Sequence, residues 1–249
     1  MDINCDMGEV PEALADGSAE RLMRWISSAS IACGAHAGDR ECMLRTMELC
    51  GQYGVSIGAH PGYPDRLSMG RREILLPPAE ITETVYRQVA TLLELAEKDG
   101  RSVGHVKPHG ALYNRAAVDE SAAAAIAEGI RRTGRDFWLV GLAGSRMLEV
   151  WKTGGWRTAA EAFADRRYEA NGTLRSRQFN DALILDPLEA ARQALSVACR
   201  HKVTASSGVE VPVDARTLCI HGDTPHADAV ARAVREALEE AGQRVGPLH

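Results

Sequence analysis

Short apolar runs alternate with longer amphipathic segments along the whole chain. Seven of these runs have the length and residue types of strands, and they lie at residues 2–5, 30–33, 55–59, 102–106, 137–142, 158–161 and 217–220. The clearest helix spans residues 78–98, where Ile81, Val85 and Leu92 recur at helical spacing before Gly100. Because strand and helix alternate, the pattern predicts an α/β fold with a mostly parallel sheet and right-handed crossovers.

Capping residues and turns place the remaining elements. The pattern predicts helices after Asp39 and from Pro187, a last helix within residues 224–242, and a local hairpin at residues 204–213. Linkers rich in Pro, Gly or Ser, which would divide the sequence, are missing from it. We therefore expect a single domain over residues 1–249.

Clusters of His, Asp, Lys or Glu follow nearly every predicted strand. They lie at residues 4–6, 33–39, 58–65, 105–110, 161–166 and 221–223, and they hold five of the eight histidines. Parallel α/β folds place their ligands at the carboxyl ends of the strands. A closed ring brings all of those ends to one mouth, whereas an open sheet uses only the ends near its switch point. The clusters therefore favour a closed barrel over an open, doubly wound sheet.

Alternation along each strand predicts which side chains face the barrel axis. Residues two apart share a face, which groups Asn4 with Asp6, His105 with Lys107 and His109, Gly58 with His60, and His221 with Asp223. Each of these polar sets is opposed by apolar neighbours that can meet the helices. Lys and Glu are rarely buried without a partner, so an inward Lys107 and an inward Glu161 would each need one.

Individually, several of these residues also have a plain structural explanation. A single His is more often a packed, hydrogen-bonded residue than a catalyst, and Asp39 and Asp223 are equally well explained as helix N-caps. Cys5 alternates away from the polar face, so we expect it to pack. Cys219 shares the face of His221 and is a candidate thiol nucleophile. The functional interpretation rests on the joint pattern rather than on any one residue.

Composition and charge exclude several classes of protein. The 249 residues carry a net charge of −5, with 45% hydrophobic and 25% charged residues. There is no basic surplus for phosphate contacts, so we expect no nucleic-acid partner. No run approaches 18 apolar residues and no leader pattern opens the sequence, so we expect neither a membrane span nor secretion. The six cysteines form no C-x-x-C pair, which favours reduced thiols and a cytoplasmic location.

Three common catalytic motifs are missing from the sequence. It has no G-x-x-x-x-G-K-[ST] for ATP phosphates, no G-x-G-x-x-G after a strand, and no G-x-S-x-G nucleophile elbow.

Seven stretches together resemble the LamB/YcsF family of 5-oxoprolinase A subunits. They read DINCDMGE (2–9), IACGAHAGD (31–39), IGAHPGYPD (57–65), GRR (70–72), HVKPHGALYN (105–114), EAFADRRY (161–168) and CIHGDTP (219–225). The resemblance spans the chain in one order. It implies a single-domain, seven-stranded parallel β/α barrel of the glycoside hydrolase/deacetylase type. It also implies a hydrolase acting on a cyclic amide, which opens 5-oxo-L-proline to L-glutamate at the expense of ATP together with two further subunits.

A mechanism that fits both the residues and the resemblance divides the work among subunits. We expect a partner subunit to bind ATP and activate the lactam, and this chain to open the activated intermediate. The predicted catalytic residues are Asp6, His60, Lys107, His109, Glu161 and His221. Lys107 and Arg166 would neutralise a phosphate or oxyanion. Asp6 or Glu161 would orient or deprotonate water, and one of the histidines would move protons.

Further residues of the clusters are predicted to contact the substrate. They are Asn4, His36, Asp39, Asp65, Arg72, His105, Asp165, Arg166 and Asp223. We assign no residue as a metal ligand, but Asp6, His36 and His60 are the candidates if a metal is present. That set would suit a first alternative, a metal-dependent amide hydrolase or deacetylase acting alone. A second alternative is a lactam-binding scaffold subunit without catalysis.

Overall fold

Parallel strands of the chain close into a ring. A computed structural model describes residues 1–248 and contains nine strands: β1 (Asp2–Met7), β2 (Ser28–Ala32), β3 (Ser56–His60), β4 (Val103–Val106), β5 (Trp138–Leu142), β6 (Arg157–Phe163), β7 (Lys202–Thr204), β8 (Glu210–Pro212) and β9 (Thr217–His221). Strands β1 to β6 pair in order, and β9 pairs in parallel with both β6 and β1. The closed seven-stranded barrel is therefore confirmed, and β7 and β8 form the predicted antiparallel hairpin.

Helices surround the barrel. They are α1 (Pro11–Ala15), α2 (Ser18–Met23), α3 (Arg40–Tyr53), α4 (Pro78–Lys98), α5 (Gly110–Ala116), α6 (Glu120–Arg131), α7 (Arg146–Thr153), α8 (Pro187–Arg200) and α9 (Ala227–Glu240). Helix α4 has the predicted bounds, and its apolar stripe is buried. Among the described residues, none of the helices combines the length and apolar character that crossing a membrane requires.

Local side-chain chemistry sets several helix starts. Asp39 caps α3 by accepting a hydrogen bond from the backbone N–H of Cys42 at 2.8 Å, and Asp186 caps α8 in the same way through Glu189. Helix α9 begins after His226 instead of near residue 224. Asp223 is therefore not its cap.

Polar side chains fill the inside of the barrel, as the alternation predicts. At the amino-terminal end, Asp2 accepts hydrogen bonds from the hydroxyls of Ser27, Ser28 and Thr217 at 2.5–2.9 Å. Burial raises the pKa of Asp2, although these hydroxyls oppose the shift. Cys5, which lies between Asn4 and Asp6 on β1 and faces the other way, packs in the apolar core, as predicted.

His105 belongs to this interior layer. Its Nε2 lies 3.2 Å from the Ser30 hydroxyl, and its ring fills the space next to Gly58. Burial, reinforced by the charge of Lys107, lowers the pKa of His105 to about 3, so the ring is neutral. A Cβ on Gly58 would lie 2.0 Å from Nε2 of His105.

We expect Gly58→Ala to destabilise the barrel through this contact. Overpacking of a filled core commonly costs about 1–3 kcal/mol, which corresponds to a melting temperature lower by roughly 2–12 °C at this chain length. Gly104→Ala is the matched control on the adjacent strand, because a Cβ there meets Ser56 at an ordinary 3.4 Å. Thermal unfolding of both variants checks the prediction, and equal melting temperatures for the two would contradict it.

The chain between β6 and α8 forms a cover over one end of the barrel. Isolated antiparallel bridges join Arg166 to Leu183 and Tyr168 to Leu174. Residues 173–178 of this excursion line a cavity at the carboxyl ends of the strands. The sequence pattern did not predict this cover, because it contains no regular element.

Candidate active site

A cavity of about 600 Å³ opens at the carboxyl ends of the barrel strands. Its lining includes all six predicted catalytic residues: Asp6, His60, Lys107, His109, Glu161 and His221. The aromatic rings of Tyr113 and Phe163 also belong to its lining. Residues that lie up to 215 positions apart in the chain (Asp6 to His221) thus meet at one mouth. Their catalytic roles stay predictions.

Lys107 lies at the centre of the floor of this cavity. Its Nζ is 2.6 Å from Oδ1 of Asp6 and 3.0 Å from Oε1 of Glu161, and it donates to Oδ1 of Asn4 at 2.8 Å. Burial opposes the positive charge, but Asp6 and other anionic neighbours outweigh it and raise the pKa of Lys107 well above its usual value. Lys107 is therefore a permanent cation, suited to stabilising negative charge and unsuited to acting as a base.

Glu161 is fully used in holding Lys107. Its Oε1 accepts hydrogen bonds from Lys107 and from Nδ2 of Asn4 at 2.9 Å, and its Oε2 accepts one from the Tyr113 hydroxyl at 2.7 Å. Its side chain has no exposed surface, whereas that of Asp6 is 12% exposed. Of the two carboxylates predicted to handle water, Asp6 is thus the accessible one and Glu161 positions the lysine.

Asp6 is held as a carboxylate. Burial favours its neutral form, but His60 and Lys107 outweigh burial and keep the pKa of Asp6 well below its usual value. Its Oδ2 lies 3.2 Å from Nε2 of His60.

Cys219 also contacts the lysine, with its Sγ 3.3 Å from Nζ. Burial raises the pKa of this thiol well above its usual value despite the nearby cation. A buried, protonated thiol is a poor nucleophile, so the structure does not favour Cys219 in that role.

His221, which lies beside Asp6 on the adjacent strand, forms a hydrogen-bonded pair with Asp165. Nδ1 of His221 donates to Oδ1 of Asp165 at 2.9 Å, and the backbone N–H of His221 donates to Oδ2 at 2.8 Å. In the neutral ring, the pairing fixes the hydrogen on Nδ1 and leaves Nε2 as the acceptor nitrogen of a residue that lines the cavity. This orientation suits a proton acceptor.

A second group of polar side chains lies next to Asp6. Nδ1 of His109 is 2.9 Å from Nε2 of His60 and 2.9 Å from Oε1 of Glu9. The ring of His36 stacks on His109 with centroids 3.9 Å apart, and its Nε2 is 3.3 Å from the same oxygen of Glu9. Burial lowers the pKa of His36 to about 4, so its ring is neutral.

Arginine side chains surround the rim of the cavity. Arg71, Arg166 and Arg177 all belong to its lining. Asp223 pairs with Arg71 and lies 3.7 Å from Nη1 of Arg177. Arg175 also belongs to the lining but is paired with Glu169 and Asp181. The other three guanidinium groups against the one carboxylate of Asp223 leave a cationic rim, which favours an anionic ligand.

Three of the nine predicted substrate contacts, Asn4, His36 and Asp165, lie behind this surface instead of on it. Arg166 is the one of the nine that belongs to the described lining. Asn4 holds Lys107, and Asp165 is buried behind His221. His36 lies against His109. These side chains position the groups that face the cavity, because their polar atoms are already engaged with those groups.

Four predicted contacts have other structural roles. Asp39 is an exposed helix cap, and Asp223 neutralises rim arginines. Asp65 is engaged by Ser68 and by Arg72 at 3.5 Å, which holds the 65–72 turn, and the Arg72 side chain is 70% exposed. His105, the last of the nine predicted substrate contacts, belongs to the barrel interior. Asp39, Asp65, Arg72 and His105 do not belong to the described lining of the cavity, and substrate contact by them stays a prediction.

Sequence reasoning missed several residues of the site, namely Glu9, which contacts His109, and three residues of the cavity lining, Arg71, Tyr113 and Arg177. Glu9 follows the end of β1, where strand alternation no longer predicts direction, although it belongs to the same motif as Asp6. Arg71 was not distinguished from its neighbour Arg72, since a turn gives no rule for choosing between consecutive arginines. Tyr113 lies in a quoted motif, and Arg177 comes from the irregular cover without any sequence signal.

Comparisons with known proteins agree with this architecture. A crystal structure described as a lactam utilization protein from Thermus thermophilus is 42% identical and covers 100% of this chain and 99% of its own, with a TM-score of 0.92. A family 4 carbohydrate esterase from Streptomyces lividans, at 9% identity and a TM-score of 0.51, covers 100% of this chain and 93% of its own. The second likeness concerns the fold alone, and it confirms the deacetylase-type barrel.

Sequence relatives extend the likeness over nearly the full length. A protein of Chloroflexus aggregans, named as the A subunit of 5-oxoprolinase, is 46% identical over 242 residues, which cover 97% of this chain and 96% of the relative. The family model described as LamB/YcsF family matches residues 1–249. Because the family model matches the whole chain and the relative is 46% identical over nearly its full length, the chain belongs to the LamB/YcsF family.

Proposed function

We propose that this chain is the lactam-opening subunit of an ATP-dependent 5-oxoprolinase, which converts 5-oxo-L-proline to L-glutamate. The observation that carries the proposal is one cavity that combines a buried cation, Lys107, an Asp–His pair, Asp165 and His221, and a rim of arginines. The names of the 46%-identical relative and of the lactam utilization protein support the substrate class. We place the activity in the cytoplasm, with two partner subunits.

The chemistry of the substrate explains why partners are needed. A five-membered lactam is an unactivated amide, and transfer of a phosphoryl group from ATP to its oxygen makes the ring carbon electrophilic. The sequence has no P-loop, so we assign the ATP-dependent step to a partner. The activated lactam carries a phosphate and a carboxylate, and both charges suit the rim that Arg71, Arg166 and Arg177 form.

Residues of the cavity then promote the addition of water. His221 takes a proton from water as the oxygen bonds to the ring carbon, with Asp165 holding the imidazole in the required tautomer. Lys107 stabilises the negative charge at the reacting centre. The carbon–nitrogen bond breaks as the nitrogen takes up both protons of the attacking water, the first by way of His221 and the second from the added hydroxyl as the acyl carbonyl forms. The resulting acyl phosphate is hydrolysed by a second water to L-glutamate and inorganic phosphate.

We expect glutamate formation to depend on this chain. In an assay with ATP, 5-oxoproline and the two candidate partner subunits, omission of the chain should abolish glutamate release, and adding it back should restore it. Full activity of the partners alone would contradict the proposal. A chemically activated lactam given to the isolated chain provides the matched test of the step: a scaffold would bind it without turnover, whereas the proposed subunit opens it.

A hydrolase acting alone with a metal ion is the second candidate function. The group of Asp6, Glu9, His60 and His109, whose ligand atoms all lie within 4.8 Å of one another, favours it. Such an enzyme would open lactams or amides without ATP or partners. The same assay without ATP therefore separates the two functions.

A further inference from the structure

Four electron-pair donors converge beside Lys107. They are Oδ2 of Asp6, Oε1 of Glu9, Nε2 of His60 and Nδ1 of His109, and the measured separations among them run from 2.9 to 3.8 Å. Glu9, His60 and His109 are buried, and Asp6 is nearly so. Little water can therefore screen these atoms from one another.

The backbone settles the tautomers of the two histidines. Nδ1 of His60 is 2.7 Å from the carbonyl oxygen of Lys107, and Nε2 of His109 is 2.8 Å from the carbonyl oxygen of Met69. A carbonyl oxygen only accepts, so each of these nitrogens carries a hydrogen. In neutral rings, Nε2 of His60 and Nδ1 of His109 are therefore both unprotonated, and they point at each other 2.9 Å apart.

Two lone pairs at this distance repel unless a positive charge lies between them. The carboxylates of Asp6 and Glu9 add to the repulsion, since both face the same point. Either a proton or a cation must therefore lie among the four atoms.

We propose that a divalent transition-metal ion binds among Asp6, Glu9, His60 and His109. Around a tetrahedral ion with bonds of about 2.1 Å, neighbouring ligand atoms stand roughly 3.4 Å apart. Four of the six separations lie at 2.9–3.8 Å, on either side of this value, and all six are within 4.8 Å. Two imidazoles and two carboxylates suit Zn²⁺ or Mn²⁺ better than Ca²⁺ or Mg²⁺.

The surroundings of the four atoms support a metal centre. Each histidine donates its remote N–H to a backbone carbonyl, which is how metal-binding imidazoles are commonly oriented. Lys107 pairs with Oδ1 of Asp6 and leaves Oδ2 available. His36 donates to Glu9 from outside the group, so the set differs from the Asp6, His36 and His60 considered from sequence. The proposal does not depend on lactam opening.

Metal binding to the purified chain tests the proposal without an activity assay. The chain is stripped with a chelator and titrated separately with Zn²⁺ and Mn²⁺ by calorimetry, and bound metal is counted by elemental analysis after dialysis. We expect one ion per chain and a higher melting temperature in the loaded form. Glu9→Gln and His109→Gln should each weaken binding at least about 100-fold, because loss of even an outer partner costs 10–100-fold.

His201→Asn provides the matched control, since His201 is an exposed histidine that pairs with Asp214 away from the cavity. It should bind metal as the wild-type chain does. A stripped chain that remains folded by circular dichroism but takes up neither ion would overturn the proposal, and would leave a shared proton between His60 and His109. Unchanged affinity in both Glu9→Gln and His109→Gln would also overturn it.

Discussion

Lys107→Met is expected to reduce ATP-dependent glutamate formation about 10²–10³-fold, the usual effect of removing one electrostatic group from a catalytic site. Methionine keeps most of the volume and removes the charge. Lys107 is the buried cation nearest the proposed reacting centre, and its pKa, raised above the usual value, keeps it charged. Initial rates with the reconstituted complex measure the effect.

The same substitution is expected to lower stability strongly. Removing the cation leaves Asp6 and Glu161 buried and without their partner, which costs about 3–5 kcal/mol, or a melting temperature lower by roughly 6–20 °C. The double variant Lys107→Met/Glu161→Gln should recover part of this loss, because a neutral amide no longer needs the cation. It should recover none of the activity.

Lys98→Met is the matched control, since Lys98 pairs with Glu94 on the exposed face of α4. Exposed pairs contribute about 0–1 kcal/mol, so we expect wild-type activity and nearly unchanged melting. The assignment fails if a folded Lys107→Met variant opens the lactam at a rate close to that of wild type.

Asp165→Asn is expected to lower kcat by on the order of 10³–10⁴, in line with the loss of the carboxylate in other Asp–His pairs. The asparagine amide can donate to Nδ1 of His221, which would move the ring proton to Nε2 and remove the acceptor from the cavity. KM should change little, because Asp165 is buried behind His221 and does not belong to the cavity lining. Steady-state kinetics separate kcat from KM.

Asp214→Asn offers a close control, because Asp214 also pairs with a histidine, His201, but at the surface. We expect it to leave both kinetic constants and the melting temperature unchanged. Nitrogen NMR of the His221 ring provides an independent measurement, with the proton expected on Nδ1 in the wild type and on Nε2 in Asp165→Asn. A kcat within tenfold of wild type, in a folded Asp165→Asn protein, would show that the pair does not act in the reaction.

Much of the fold was predictable because it depends on short-range patterns. Helix α4 has its predicted bounds, and Asp39 and Asp186 cap helices where expected. Alternation correctly directed Asn4, Asp6 and Lys107 inward, since a strand backbone turns successive side chains to opposite faces. The irregular cover between β6 and α8 was not predicted, because side chains in loops do not alternate or recur at a regular spacing.

The sequence by itself indicated the set of polar side chains at the strand ends, which favoured a closed barrel, and its motifs indicated the family and, through that resemblance, seven strands. Only the tertiary structure decided which of these side chains face the cavity and which lie behind them. It placed Asp165 behind His221 and Glu161 behind Lys107. It also brought Glu9 against His109 and Arg71 into the cavity lining, both from turns. The reason is that hydrogen-bond partners, tautomers and burial depend on atoms contributed by distant parts of the chain, which strand and helix periods do not encode.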